Sequence, residues 1–367
     1  MILKNISYEN FRNHRSLTFE PENGINLIYG PNGSGKTSIL EGIHYCALTK
    51  GFVSANDQQC LTFEAEYFLV NGHFISENDR QLTVKITYKK EKKITVNHSE
   101  VKPFSQHIGT IPCITFSPPE ISIVNGSPME RRRFIDNSIC QTDRKYLDDL
   151  LTYRRVLSQR NTLLAQIKEH SEERDNTLSI WSEQLSRIAA AIITKRVRFT
   201  EEILQRLYGI YKELSVREEP SILYRCSVGS ISKEDKEEIL YHRLRQKYKE
   251  TEKTDIYRAQ TSIGPHRDDM LIKMNEKEIG KYASQGQMRT FLIGLKLAQH
   301  RYFNEKLGEK PICLLDDIFS ELDTKRTEDI LALLKTYGQS IITSAEKKTY
   351  GGINEISIEN MKKEKRL

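Results

Sequence analysis

Long apolar runs are missing from this chain of 367 residues. No segment approaches the ~18–20 apolar residues of a membrane-spanning helix, so a membrane-embedded role is not expected. Met1–Tyr8 carry no basic start, apolar stretch or small-residue cleavage site, which argues against secretion and for a cytoplasmic protein. Cysteine is scarce and scattered: Cys46, Cys60, Cys113, Cys140, Cys226 and Cys313 form no Cys-x-x-Cys pair and stand at no metal-like distance from histidine. They fit small buried hydrophobes in a reducing compartment. A strong charge of one sign is also lacking. The net charge of +6 is no nucleic-acid signature alone, though it suits an anionic partner if gathered on one face. Repeats and low-complexity linkers are absent. What remains, with 38% hydrophobic residues, suffices for one large domain or two intimate lobes.

The chain changes character along its length. Ile2–Ile6 and Leu17–Phe19 suggest an antiparallel pair around a turn at Asn13-His14, and Ile25–Tyr29 a short buried strand. A Gly-rich loop and a helix from Lys36 to about Leu48 follow. Residues 66–98 alternate apolar and polar, which predicts antiparallel strands with turns at Asn71-Gly72 and Asn78-Asp79. Ile111–Phe116 is a further candidate strand. From about Pro128 to Tyr257 glycine and proline are rare and helical periodicity takes over. One helix is expected over Arg144–Lys168, with Leu147, Leu150, Leu151, Leu157, Leu164 and Ile167 on a stripe. After a polar turn at 169–176, a second is expected over Thr177–Leu214, with Trp181, Leu185, Ile188, Ile192, Phe199, Ile203 and Leu207 inward. They would form a hairpin ~40–55 Å long, for packing or as a partner-binding arm. After Ser262 the pattern is α/β again: a helix over Gly286–Leu307, a strand at Pro311–Leu315, a helix over Thr324–Leu334 and a strand at Ser340–Thr343. A short hairpin and a charged tail, Lys362–Arg366, would end it.

Gly30, Pro31, Asn32, Gly33, Ser34, Gly35, Lys36 and Thr37 satisfy G-x-x-x-x-G-K-[ST] between a buried strand and a helix. Glycines let backbone N–H groups wrap round phosphates, and the helix start adds partial positive charge. Lys36 is expected on the β- and γ-phosphates of ATP and Thr37 on Mg²⁺. Ile312–Leu315 followed by Asp316-Asp317 predicts a buried strand delivering two carboxylates at its C-terminal end. Asp316 would hold Mg²⁺; Asp317 would orient or deprotonate the attacking water.

Ser320-Glu321-Leu322-Asp323 directly after this strand resembles the D-loop of ABC ATPases, and Ser284, Gln285, Gly286 and Gln287 before an apolar helix resemble their signature loop. Four segments are similar to the RecF family of bacterial recombination mediators: Glu9–Asn13, Gly126–Asp136, Gly264–Asp269 and Leu314–Asp323, in the expected order over residues 1 to about 345. The resemblance implies an α/β fold, an ABC-ATPase head with a mixed P-loop sheet plus an antiparallel sheet, a helical second lobe and no long coiled coil. The ATPase lobe would be 1–125 with 300–367, and the helical lobe 126–299. It further implies an ATP-dependent homodimer in which the signature loop of one subunit, with D-loop residues Ser320 and Asp323, meets nucleotide held by the other. Slow DNA-dependent ATP hydrolysis, binding to gapped or single-strand/double-strand junction DNA, and loading of RecA with RecR and RecO are implied too. Other readings are another SMC- or Rad50-like ATPase, a transporter ATPase subunit or a P-loop kinase.

The chain departs from the ABC pattern in places. Asp317 stands where most members carry Glu. Thr343-Ser344, and no histidine, follow Ile341-Ile342. No Q-loop glutamine is evident, and Thr49–Ser54 contains neither Arg nor His. Arg131-Arg132-Arg133 could grip DNA phosphates or form internal salt bridges. His266 with Arg267 and Asp268 could sit near nucleotide or hold a loop. Lys89–Lys93 suggests a solvated hairpin tip or a DNA contact.

Overall fold

The computed structural model describes residues 1–53, 56–170, 177–214, 217–232, 234–319, 324–347 and 351–363. Strands β1 (Ile2–Phe11), β2 (His14–Phe19) and β3 (Ile25–Tyr29) lead into helix α1 (Lys36–Leu48). Strands β4 (Phe68–Ile75), β5 (Gln81–Tyr88), β6 (Lys92–Val96), β7 (Ser99–Glu100) and β8 (Cys113–Phe116) follow. Then come helices α2 (Ser122–Asn125), α3 (Pro128–Thr142), α4 (Arg144–His170) and α5 (Thr177–Glu213). After β9 (Pro220–Arg225), α6 (Glu237–Arg258), β10 (Asp269–Met274), β11 (Lys277–Glu278) and α7 (Ile279–Tyr282), the chain enters α8 (Gln285–Leu307). It closes with β12 (Ile312–Leu315), α9 (Thr324–Leu334), β13 (Ser340–Ser344), β14 (Asn354–Ser357) and α10 (Ile358–Lys363).

Two compact units emerge: Met1–Ile121 with Ile210–Val216 and Gln285–Leu367, and Ser122–Gly209 with Arg217–Ser284. Helix α8, expected partly in lobe II, groups with the first unit, where its buried Lys296 pairs with Glu120 just after β8.

The first unit holds a parallel sheet in the order β14-β3-β13-β12-β8 and an antiparallel sheet in the order β2-β1-β4-β5-β6-β7. Every residue of α1 except Thr37 is buried. Its Ile39, Leu40 and Ile43 share one core with Leu3, Ile6 and Val84 of the antiparallel sheet and Ile28, Leu314 and Ile341 of the parallel one. Each such side chain contributes ~1.5–3 kcal/mol by leaving water. Strands buried on both faces need continuous apolar runs, as in β12, whereas β4 buries every second residue.

Two expected turns fare differently. At Asn78-Asp79 the chain does reverse, with Asp79 at φ +56°. Asn71-Gly72 lies inside β4, where Gly72 pairs with both Ile6 and Val84. A Cβ on Gly72 would stand 2.7 Å from the Phe74 ring and 3.3 Å from Cys46 Sγ, so this glycine marks close packing of strand and α1. The expected terminal hairpin is instead β14, parallel to β3, followed by α10. The end of the charged tail, 364–367, lies outside the described residues.

Gly42 gives a stability test. It sits in α1, and a Cβ there would collide with the rigid Tyr8 ring, whose hydroxyl donates to Ile39 O at 2.7 Å. Gly42→Ala gains up to ~1 kcal/mol of helix propensity but overpacks the core by ~1–3 kcal/mol. Overpacking wins, so thermal melting is expected at a lower temperature than wild type.

In the second unit, β11-β10-β9 form an antiparallel sheet. Helices α4 and α5, of 27 and 37 residues, run antiparallel; Asp143 meets Lys195 at 2.6 Å near one end and Arg160 Nε donates to Ser182 at 3.1 Å further along. Of the expected stripe on α4, Leu147, Leu150 and Leu164 are buried and Leu151 is exposed, while Tyr146, Tyr153, Val156 and Arg160 are buried as well. Arg160 donates to Asp255 at 2.9 Å and Thr261 at 2.7 Å. Residues 171–176 of the expected turn lie outside the described residues. Five of the six cysteines are buried, with Cys226 intermediate. No described helix is long and apolar enough to cross a membrane.

Candidate nucleotide site

The phosphate loop runs from buried β3 into α1. Gly33 and Gly35 have φ +76° and +98°. A side chain on Gly35 would run into the His14 ring at 2.8 Å, so only glycine serves there. The turn between β1 and β2 underpins the loop: Asn13 Nδ2 donates to Gly33 O at 3.3 Å and His14 Nε2 lies 2.9 Å from Gly35 O. Lys36 Nζ donates to Gly30 O at 2.7 Å and Pro31 O at 2.9 Å. Burial pushes the Lys36 ammonium below its usual pKa, opposed by the charges of Asp317 and Asp316.

The acidic pair stands at the end of β12. Thr37 Oγ1 donates toward both Asp316 oxygens, at 2.9 and 3.1 Å. Thr343 Oγ1 donates to Asp316 Oδ1 at 2.7 Å and accepts the Asp317 N–H at 3.0 Å. The Asp316 N–H donates to Phe116 O at 2.7 Å, and Asp317 has φ +47°. Beside the pair lies a cavity of about 230 Å³ walled by Phe116, Ile121, Arg289, Leu292, Ile293 and the two acids.

Phosphate loop and acids, 279 residues apart, are therefore in contact. Of the expected signature loop, Ser284 ends the second unit and Gln285–Gln287 form the first turn of α8, where Gly286 O accepts the Thr290 hydroxyl at 3.0 Å. The D-loop, Ser320 to Asp323, lies outside the described residues, as does Ser54. Thr343 carries no motif of its own. Its signal in the sequence is its place in β13 directly after Ile341-Ile342, where the ABC pattern carries a histidine.

The arginine segment turns inward. Arg131 grips Asp269 with a fork at 2.8 and 3.0 Å, and Arg132 donates to Asp268 O at 2.7 Å. Arg133 pairs with Glu130 nearer the surface. His266 accepts from Tyr153 OH at Nδ1 (2.7 Å) and donates from Nε2 to Thr261 O (3.0 Å), and burial pushes its pKa down to about 4. It is a neutral structural ring. Lys92, expected at a hairpin tip, points inward: its Nζ bonds Thr49 O at 2.8 Å and Asp57 at 3.0 Å, 5.4 Å from the centre of the Tyr45 ring.

A strand–glycine loop–helix, with a strand-end acid against the helix's first threonine, in a parallel sheet backed by an antiparallel one, defines a P-loop ATPase head of the ABC/SMC class. A family profile described as an AAA domain matches residues 5–366. The DNA replication and repair protein RecF of Chlorobium phaeovibrioides is 54% identical over 354 residues, spanning 96% of this chain and 95% of the relative. The chain belongs to the RecF family and carries that AAA domain. A solved structure of the recombination mediator protein RecF-ATP in the RecFOR pathway superposes with a TM-score of 0.89 at 34% identity, covering 95% of this chain and 93% of that one. An Smc head bound to the C-winged helix domain of ScpA shares the fold alone, at TM-score 0.55 and 14% identity over 94% of this chain and 90% of that one.

Proposed function

We propose that this chain is a cytoplasmic recombination and repair ATPase that binds ATP on Gly30–Thr37 and hydrolyses it slowly to switch a DNA-bound dimer. The observation carrying this reading is the contact of the Thr37 hydroxyl with both oxygens of Asp316. Its support is kinship with a RecF solved with ATP. Lys36 would leave its loop carbonyls for the β- and γ-phosphate oxygens. Thr37 and Asp316 offer adjacent hard oxygens, a donor set that fits Mg²⁺ with phosphates and waters completing the shell. When bound, Mg²⁺ would neutralise charge on the β- and γ-phosphates. Asp317 would take a proton from water as its oxygen bonds the γ-phosphorus and the bond to the bridging oxygen breaks, giving ADP and phosphate.

Ser284–Gln287 of one subunit would meet the nucleotide of the other, with Ser320 and Asp323 lining the seam. ATP would thus favour the closed dimer by binding it better than the open state. Through its family the dimer would act at single-strand/double-strand junctions of gapped DNA, hydrolyse ATP faster there, and help RecR and RecO load RecA. Sedimentation tests the sandwich. Asp317→Asn, which retains shape but not the base, is expected to accumulate dimer in Mg-ATP and stay monomeric without it. A variant that remains monomeric in Mg-ATP refutes the reading.

A further inference from the structure

Thr343 ends up beside the acidic pair because β13 lies next to β12 in parallel register, Leu315 opposite Ile342. Its side chain is 1% exposed, so water does not compete for its two hydrogen bonds. A hydroxyl has one proton to give. That proton goes to Asp316 Oδ1 at 2.7 Å, and the oxygen receives the backbone N–H of Asp317 at 3.0 Å. One side chain therefore clamps the acid that faces Thr37 and the peptide joining it to the next acid. The φ of Asp317, +47°, is a left-handed conformation uncommon for a residue with a Cβ, though less so for aspartate than for most, and the bond from its N–H to Thr343 helps to hold it. The next residue of β13, Ser344, accepts the Gly30 N–H at 3.3 Å, so the end of one strand addresses both the acidic turn and the phosphate loop.

We infer that Thr343 is a positioning residue for ATP hydrolysis, holding the Asp316 carboxylate and the Asp316–Asp317 peptide in the left-handed turn at the end of β12. The inference rests on the ATPase reading above. Thr343→Val keeps the shape and removes both bonds; Thr343→Ser keeps both. Single-turnover hydrolysis by the Val variant is expected to fall roughly 10- to 100-fold, the effect typical of losing a partner that orients a functional ligand. Dissociation constants for a fluorescent ATP analogue should stay near wild type, and the Ser variant should recover most of the rate. Thr343→Ala serves as a second hydroxyl-free variant if Val does not fold. A hydroxyl-free variant as fast as wild type overturns the inference. So does a Ser variant as slow as Val, or loss of ATP binding in step with rate. A wild-type chain without turnover would instead defeat the ATPase reading, and the inference with it.

Discussion

Lys36→Met is expected to cut ATP turnover by ~10²–10³-fold, the usual loss when one cationic or N–H donor to developing charge is removed. Methionine matches the unbranched length of lysine and packs in the same slot, so the lost element is the ammonium. Folding should suffer little, because Gly30 O and Pro31 O, now bonded by Lys36 Nζ at 2.7 and 2.9 Å, belong to a loop with partly exposed residues where water can replace the donor. Nucleotide control of DNA binding should go with turnover. Retention on gapped DNA at matched salt is the measurement, since phosphate contacts are steeply salt-dependent. Wild type should respond to ATP and the variant should not. Equal responses would disconnect the phosphate loop from DNA binding.

How much of this was legible beforehand depended on how local each feature is. The phosphate loop is a continuous eight-residue pattern whose strand and helix adjoin it, so Gly30–Thr37 could be read directly. Asp316-Asp317 was legible because four apolar residues before it describe a buried strand. Thr343 was not, since its role exists only through the pairing of β13 with β12. Periodicity placed α4 and α5 well, and Leu147, Leu150 and Leu164 of the expected α4 stripe are buried, but it included Leu151 and missed Arg160. It counts apolar residues, whereas Arg160 is drawn inside by Asp255 and Thr261 and Leu151 is left out. Asn71-Gly72 misled for a related reason: turn chemistry and close packing both select glycine, and only the neighbouring Cys46 and Phe74 decide between them. Arg131 and Arg132 suggested either phosphate or carboxylate, and Asp269 with the Asp268 carbonyl, more than a hundred residues away in sequence, takes them up.

Replacing Arg196 with Met should destabilise the second unit by ~3–5 kcal/mol, the range for stranding one partner of a buried ion pair. Arg196 sits in α5 with 3% of its side chain exposed. It donates to Asp136 of α3 at 2.8 and 3.1 Å, Tyr146 of α4 at 3.0 Å, Tyr224 of β9 at 3.3 Å and Pro265 O at 2.6 Å. Burial disfavours the guanidinium charge, but Asp136, with Tyr146 and Tyr224, more than restores it, raising its pKa above the ordinary arginine value. With Met in place, Asp136 retains Tyr146 OH at 2.5 Å and the distant Arg154 at 3.9 Å, too little to hold a carboxylate whose side chain is 11% exposed. The pair's net worth is a separate matter, because an apolar substitute of similar volume can match a buried pair. Asp136→Leu combined with Arg196→Met should therefore recover part of the loss, a coupling readable in a double-mutant cycle from urea midpoints. A single variant losing under ~1 kcal/mol, as an ordinary surface change would, sinks this account. The motif segments at 126–136 and 264–269 would then need a role other than building the unit that carries them.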